Sequence, residues 1–230
     1  MFELLKARAE RHRFDLFGTF SIADYNRAVP ADFRLDIKAS QSRAVIIGNT
    51  RQLWPRFVAA IRATPSLLDG DDPFDTWVET EVEALLDGMD AEIAVYYAHS
   101  RPPQQVAIQH MAALAGLAWL SPSYLTIHPV YGPWISWRAV FVLPDSERTP
   151  VVESVPVLPC HHCDRQCMPA LNMALRETKT ADFSGVRHSW KPWLAVRDAC
   201  EEGHAWRFCS DQIEYHYTAD VEVLRRIISS

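Results

Sequence analysis

Apolar and polar positions follow two different periods along the chain, which predicts a mixture of helices and strands. Apolar residues recur with helical spacing near the N-terminus and in several later segments, whereas short β-branched and aromatic runs are typical of strands. The clearest helix start is at Asp72 and Pro73, because aspartate caps a helix and proline suits its first position. The predicted helices cover 2–13, 53–63, 73–89 and 104–120, and the predicted strands cover 16–20, 43–50, 92–100 and two runs within 124–144.

The order of these elements favours an α+β fold, a mixed sheet with helices packed on it. Tyr131-Gly132-Pro133 separates the last two β-rich runs and indicates a hairpin or a sharp corner. Residues 145–170 are rich in proline and charge, so a less regular tail is predicted after the last strand. We expect a core over residues 1–145, with residues 146–230 forming a cysteine-rich segment and C-terminal cap that complete the same domain.

Composition narrows the range of functions. The formal net charge of −6 and the absence of a basic run argue against nucleic-acid binding. The N-terminal segment has no secretory hydrophobic core, and no stretch of about 18 apolar residues exists to span a membrane. These observations predict a soluble, cytoplasmic protein. No glycine-rich phosphate loop is present, so a flavin or nucleotide would bind without that motif.

The chain has eight tryptophans, and most lie in its C-terminal half. They are typical of a large aromatic core, but they also suit the wall of a pocket for a flat, bulky ligand.

The segment CHHCDRQCMP places three of the five cysteines within residues 160–169. Cys160 and Cys163 have the spacing at which two thiolates reach one metal ion, and Cys167 follows closely. The sequence does not identify the fourth ligand. The candidates are two later cysteines, Cys200 and Cys209, and two histidines of the segment itself, His161 and His162. Such soft ligands favour zinc or an iron–sulfur cluster of the 4Fe-4S type over magnesium or calcium. Free thiols and a thiol redox pair are the alternatives.

Five further stretches together resemble the cblC-type cobalamin (vitamin B12) processing and trafficking family. They occur in the family's order and cover about two-thirds of the chain. The five stretches are DYNRAVPADFRL at 24–35, DPFDTWV at 72–78, AALAGLAW at 112–119, IHPVYGPWISWRAVFVLP at 127–144 and SWKPWLAVRDA at 189–199.

This resemblance implies a nitroreductase-like scaffold with a cavity for the corrin ring. Family members remove the upper axial ligand of cobalamin, reductively with flavin for cyanide and by transfer to glutathione for alkyl groups. Arg138 and Arg197 match arginines that hold the glutathione carboxylates, a task for which guanidinium forks are suited. A structural salt bridge is the alternative for each. Further candidates for the pocket wall are His128, Trp134, Trp190 and Trp193.

The chain also departs from the family pattern. Ala113 stands where the family has a histidine near the corrin, and His110, nearly one turn earlier, is the candidate substitute. Leu120, Ser121 and Pro122 replace a tyrosine- and glutamine-rich stretch, which puts glutathione-dependent dealkylation in question. The cysteine segment is absent from animal members of the family. It resembles a reduced version of the cluster segment of epoxyqueuosine reductases and reductive dehalogenases, which couple a similar corrinoid-binding fold to iron–sulfur clusters.

The sequence therefore predicts a cobalamin-binding oxidoreductase that takes the corrinoid base-off and promotes reductive loss of its upper ligand, with electrons supplied by an iron–sulfur cluster. The alternatives are a non-enzymatic corrinoid carrier with a structural zinc site and a flavin reductase on the same scaffold. The expected partners are a corrinoid and either a thiol cosubstrate or an electron-donor protein. Monomer and homodimer both remain open.

Overall fold

The computed structural model describes residues 1–36, 43–89, 92–144, 160, 163–178 and 183–229. The helices in this part of the chain are α1 Phe2–Arg11, α2 Ile22–Ala28, α3 Leu53–Ala63, α4 Pro73–Leu86, α5 Ile108–Leu114, α6 Cys167–Glu177, α7 Phe183–His188, α8 Trp190–Asp198, α9 Ser210–Thr218 and α10 Val221–Ser229. The strands are β1 Leu16–Ser21, β2 Arg43–Asn49, β3 Ala94–Tyr97, β4 Trp119–Leu120, β5 Thr126–Ile127 and β6 Ser136–Val142.

The main sheet has four antiparallel strands in the order β1-β2-β6-β3. Its two central strands are buried on both faces. Val45 and Phe141 belong to one hydrophobic core, whereas Ile46 and Val140 belong to the other. Since successive side chains of a strand point to opposite faces, a strand covered on both sides reads as a continuous apolar run. This explains why β2 and β6 are the clearest strands in the sequence.

Helices cover both faces of this sheet. Helices α1, α3, α4 and α10 contribute to the core on one face, whereas α2 and α5 contribute to the core on the other. The predicted α+β fold, with helices packed on a sheet, is therefore confirmed, and the strands of the main sheet are antiparallel. The division of the chain near residue 145 stays a prediction, although Tyr215 and Leu224 pack in the same core as α3 and α4.

The segment between α5 and β6 forms a second, two-stranded sheet of β4 and β5, followed by a tight turn that His128 and Gly132 close. This turn lies directly against the loop after α8. A Cβ atom on Gly132 would stand 1.8 Å from the carbonyl oxygen of Glu202, and one on Gly203 would stand 2.0 Å from the carbonyl carbon of Tyr131. Both glycines also have positive φ angles. Only glycine permits so close an approach of two backbones.

Two of the predictions for individual elements are wrong, and one helix was missed. The predicted helix over 104–120 is only Ile108–Leu114, because Gly116 takes a positive φ and ends it, and Trp119 already lies in β4. The tail predicted as less regular contains helices α6 to α10. Helix α2 was missed, although Ser21 caps it by accepting a hydrogen bond from the amide of Asp24 at 3.3 Å. None of the described helices has the length and apolar character needed to span a membrane.

Candidate functional site

Two of the residues singled out from the sequence, Arg138 and Arg197, meet at one cavity of about 360 Å³. We call this cavity the arginine pocket. The N-terminus of α4, strand β6 and helices α7, α8 and α9 form its walls. Its lining residues are Asp72, Phe74, Asp75, Ser136, Arg138, Val186, Arg187, Arg197, Tyr215, His216, Tyr217 and Ala219.

Arg138 extends from β6 into the pocket and is partly buried. Its Nε donates a hydrogen bond to Oδ1 of Asn49 at 2.7 Å, and its guanidinium carbon lies 4.6 Å from the centre of the Phe74 ring. Its Nη2 is buried and has no hydrogen-bond partner among the described residues. Burial lowers the pKa of Arg138 to about 10, against the opposing effect of Asp75. The side chain therefore keeps its positive charge at neutral pH.

Arg197 reaches the same pocket from α8 and lies among aromatic rings. Its guanidinium carbon is 5.6 Å from the centre of the Trp134 ring and 5.8 Å from that of Phe208. Its Nε is buried without a partner among the described residues, and so is Nε1 of the fully buried Trp134. A buried donor without a partner costs about 1–3 kcal/mol, so such groups call for an explanation. Two such donors belong to side chains that line the arginine pocket, so the pocket has the chemistry to bind a ligand with several acceptor atoms.

The opposite wall of the pocket is acidic and aromatic. Oδ1 of Asp72 accepts hydrogen bonds from the amide of Asp75 and from the hydroxyl of Tyr215, each at 3.3 Å. Burial raises the pKa of Asp75, although Arg138 partly offsets this effect. Burial, together with Arg138 and Arg197, holds the pKa of His216 well below its usual range. His216 is therefore neutral, and the arginines provide the positive charge in this pocket.

The other predicted site residues lie at different distances from the arginine pocket. Trp190 stacks on Tyr217, which lines it, with ring centres 5.8 Å apart. Trp193 instead donates from Nε1 to Oγ1 of Thr178 at 2.7 Å and packs between α6 and α8. His110 lies on α5 and does not line the pocket.

Reasoning from the sequence missed the acidic wall of the pocket. Asp72 and Asp75 were visible only as residues that start α4, and nothing in the pattern joined them to Tyr215 and His216, which lie about 140 positions later on α9. A useful signal would have been the aspartate pair itself, since one capping residue is enough to start a helix.

His128 lies in the glycine turn rather than on the arginine pocket. Its Nδ1 accepts hydrogen bonds from the amides of Val130 and Tyr131 at 3.0 and 3.3 Å, and its ring stacks on Tyr131. Burial lowers the pKa of His128 to about 4. The ring is therefore neutral and serves as a hydrogen-bond acceptor that shapes the turn.

Acidification is expected to lower the stability of the protein through His128. The pKa is about 4 in the folded state against an ordinary value of 6.5. Between these values only the unfolded chain binds the extra proton, so the free energy of unfolding falls as the pH falls. The full effect is at most about 3 kcal/mol. Urea unfolding at neutral pH and at about pH 4.5 would measure it, and His128→Asn should show the shallower dependence. The low pKa of His216 lowers stability at acidic pH in the wild type and in His128→Asn alike. An equal dependence of the unfolding free energy on pH in these two proteins would therefore contradict the assignment to His128.

The cysteines form a second constellation, around a cavity of about 270 Å³ that we call the cysteine cavity. Cys160, Cys163 and Cys200 line it together with Ile127, Asp164, Gln166, Ala199, Glu201 and Glu202. Burial and the neighbouring thiols of Cys163 and Cys167 raise the pKa of Cys160. Cys209 is exposed at the start of α9 and does not line the cavity. His161 and His162 lie outside the described residues. Within the part of the chain that is described, no three ligand side chains are grouped as the donors of a single metal ion.

Comparison with known proteins relates the chain to cobalamin-processing proteins. No family model matches it. It is 25% identical over 223 residues to the human cyanocobalamin reductase / alkylcobalamin dealkylase, covering 89% of this chain and 73% of that protein. The resemblance to the cblC-type family that the sequence predicts is thereby confirmed.

Solved structures show the fold. The C. elegans B12-trafficking protein CblC superposes with a TM-score of 0.70 at 19% identity, covering 98% of this chain and 94% of that one. The epoxyqueuosine reductase of Streptococcus thermophilus superposes with a TM-score of 0.56 at 10% identity, covering 97% of this chain and 78% of that one. The chain therefore has the nitroreductase-like fold of these proteins, as predicted.

Proposed function

We propose that this protein is an enzyme that binds a corrinoid and promotes reductive removal of its upper axial ligand. The relative that matches most of the chain is a cyanocobalamin reductase and alkylcobalamin dealkylase. The observation in the structure that supports the proposal is the arginine pocket, which suits an acidic cosubstrate beside the corrinoid, because Nη2 of Arg138 and Nε of Arg197 are buried there without partners among the described residues.

The arginine pocket suits a small anionic molecule or group rather than a whole corrinoid. Its volume of about 360 Å³ lies at the lower end of the range for ordinary ligand sites, and a corrinoid is far larger than an ordinary ligand. Carboxylates suit the unpaired guanidinium donors, since charge-assisted bonds are about twice as strong as neutral ones. We assign to this pocket the acidic end of a thiol cosubstrate, with the corrin ring outside it.

The reaction balances with one electron. An electron enters Co(III), the bond between cobalt and carbon breaks, and cyanide leaves with the bonding pair, so that Co(II) remains. The cyanide then takes a proton from water. Base-off binding helps this step, because removing the axial nitrogen donor makes the metal easier to reduce. The electron comes from an external donor such as reduced flavin, or from a centre held by the cysteines.

The test is a visible absorption experiment under anaerobic conditions. We expect hydroxocobalamin to show shifted corrin bands when the protein is added, and cyanocobalamin with reduced flavin to form cob(II)alamin faster with the protein than without it. Binding without faster reduction would overturn the enzymatic proposal and favour the corrinoid carrier. Flavin retained through purification, with unchanged corrin bands, would favour the flavin reductase instead.

A further inference from the structure

Four of the five cysteines come from three separate places in the fold, and Cys160, Cys163 and Cys200 among them line the cysteine cavity. Cys160 and Cys163 lie in the loop before α6, Cys167 is the first residue of α6, and Cys200 lies just after α8. Helices α6 and α8 pack against each other through Leu171 and Val196 among others. Packing of these two helices therefore brings Cys200 to a loop that precedes it by about forty residues.

The loop before α6 forms a backbone hydrogen bond to the sulfur atom of Cys163, a contact that a free thiol does not require. Arg165 has a φ of +54°, a left-handed conformation that is uncommon for a residue with a side chain. This conformation turns its amide toward Cys163, whose Sγ accepts the hydrogen bond at 3.1 Å. Hydrogen bonds to sulfur stabilise thiolate ligands and tune the centres that they hold.

Cys167 is the buried member of these four cysteines. It is 8% exposed and is the first residue of the eleven-residue helix α6. Cys167 is also close enough to Cys160 to act on it electrostatically.

The space between the thiols favours a cluster over a single ion. Within the described part of the chain, no three ligand side chains are grouped as the donors of a metal ion. Instead, Cys160, Cys163 and Cys200 surround a cavity of about 270 Å³. A polynuclear centre needs such a space between its ligands, and four cysteines are the usual ligand set of an iron–sulfur cluster.

We propose that Cys160, Cys163, Cys167 and Cys200 hold a single iron–sulfur cluster in the cysteine cavity. The inference rests on the placement of the four residues and is independent of the proposed function. When bound, the cluster would supply a one-electron centre. The carboxylates of Glu201 and Glu202 line the same cavity and disfavour an added electron, so its reduction potential should be low.

Metal analysis of the whole chain, purified anaerobically and reconstituted with ferrous iron and sulfide, tests this proposal. We expect about four iron and four sulfide per chain, with a broad absorption band near 400 nm that dithionite bleaches. Cys200→Ser and Cys167→Ser should each lose most of the iron and the band. Cys209→Ser is the matched control and should keep both, because Cys209 lies at the start of α9, outside the loop before α6, and does not line the cavity.

Other outcomes would overturn the proposal. One tightly bound zinc per chain, resistant to replacement by iron, would make the cavity a structural zinc site. Absence of both metals, with the thiols of Cys160, Cys163, Cys167 and Cys200 reactive in the folded protein, would make these residues ordinary cysteines. Circular dichroism of each variant separates loss of the cluster from loss of the fold, and retention of the cluster in folded Cys200→Ser would exclude Cys200 as a ligand. An iron-loaded protein that leaves corrin spectra unchanged would support the cluster and contradict the proposed function.

Discussion

Replacement of Arg138 by glutamine is expected to weaken the binding of glutathione, used as the acidic thiol, by roughly 30-fold or more. Arg138 is partly buried, and its Nη2 is a buried donor without a partner among the described residues, so a carboxylate in the arginine pocket would meet a largely desolvated charge. Breaking one such buried charged contact costs about 2–5 kcal/mol. Isothermal titration of the protein without cobalamin measures this difference, because the thiol of glutathione would otherwise replace the hydroxo ligand on cobalt and add the heat of that reaction.

Two further variants make the result specific to Arg138. Arg138→Lys keeps the positive charge but loses the fork, so we expect affinity between those of the wild type and of Arg138→Gln. Arg27→Gln changes the net charge equally, but Arg27 is exposed and pairs with Asp24, so glutathione binding should not change. Near-ultraviolet circular dichroism checks that the tryptophan environment is preserved. Equal affinity of wild type and folded Arg138→Gln would remove Arg138 from the site.

The structure favours a ligand-binding role over a structural salt bridge for Arg138 and Arg197. Arg138 is hydrogen-bonded to the neutral Asn49, and the guanidinium of Arg197 lies over aromatic rings. In contrast, Arg207 lies over the same Trp134 ring but is bound twice by Asp198, at 2.6 and 3.0 Å. Among the described residues, one arginine of this region is therefore paired with a carboxylate, whereas two others, which line the pocket, keep donors without partners.

Local signals were enough to predict the sheet and the largest helices. Strands β2 and β6 are continuous apolar runs because helices cover both faces of the sheet, and Asp72 with Pro73 marks the start of α4. Helix α5 was predicted too long because the apolar run continues past Gly116, where a positive φ turns the chain into β4. A short apolar run does not by itself distinguish a helix from a strand.

The site was less predictable because its parts come from distant segments. The arginines could be found by resemblance, whereas Asp75 and His216 acquire their environments only when α4 and α9 pack together. The same holds for Cys200, which reaches the other cysteines through the packing of α6 against α8. Spacing along the chain carries no information about such contacts.

Replacement of Gly203 by alanine is expected to lower the free energy of unfolding by roughly 2–5 kcal/mol. The new Cβ would stand 2.0 Å from the carbonyl carbon of Tyr131 and 2.3 Å from the amide nitrogen of Gly132, so one backbone must move. A φ of +66° adds strain of about 1–2 kcal/mol for any residue with a side chain. Thermal unfolding should show a melting temperature lower by roughly 10 °C.

Gly88→Ala separates the strain from the clash. Gly88 has a φ of +67°, almost the same as Gly203, but a Cβ there would meet no atom within 4 Å. It should therefore show only the strain, about 1–2 kcal/mol, and Gly203→Ala should exceed it by the cost of separating the two backbones. Gly203 lies three residues after Cys200, so moving the backbone at Gly203 away from the turn should also reduce the iron bound by the cysteines. Gly88→Ala should bind iron as the wild type does. Equal losses of stability in the two variants would mean that the loop moves freely, and that contact with the turn at Gly132 does not hold Cys200 in place.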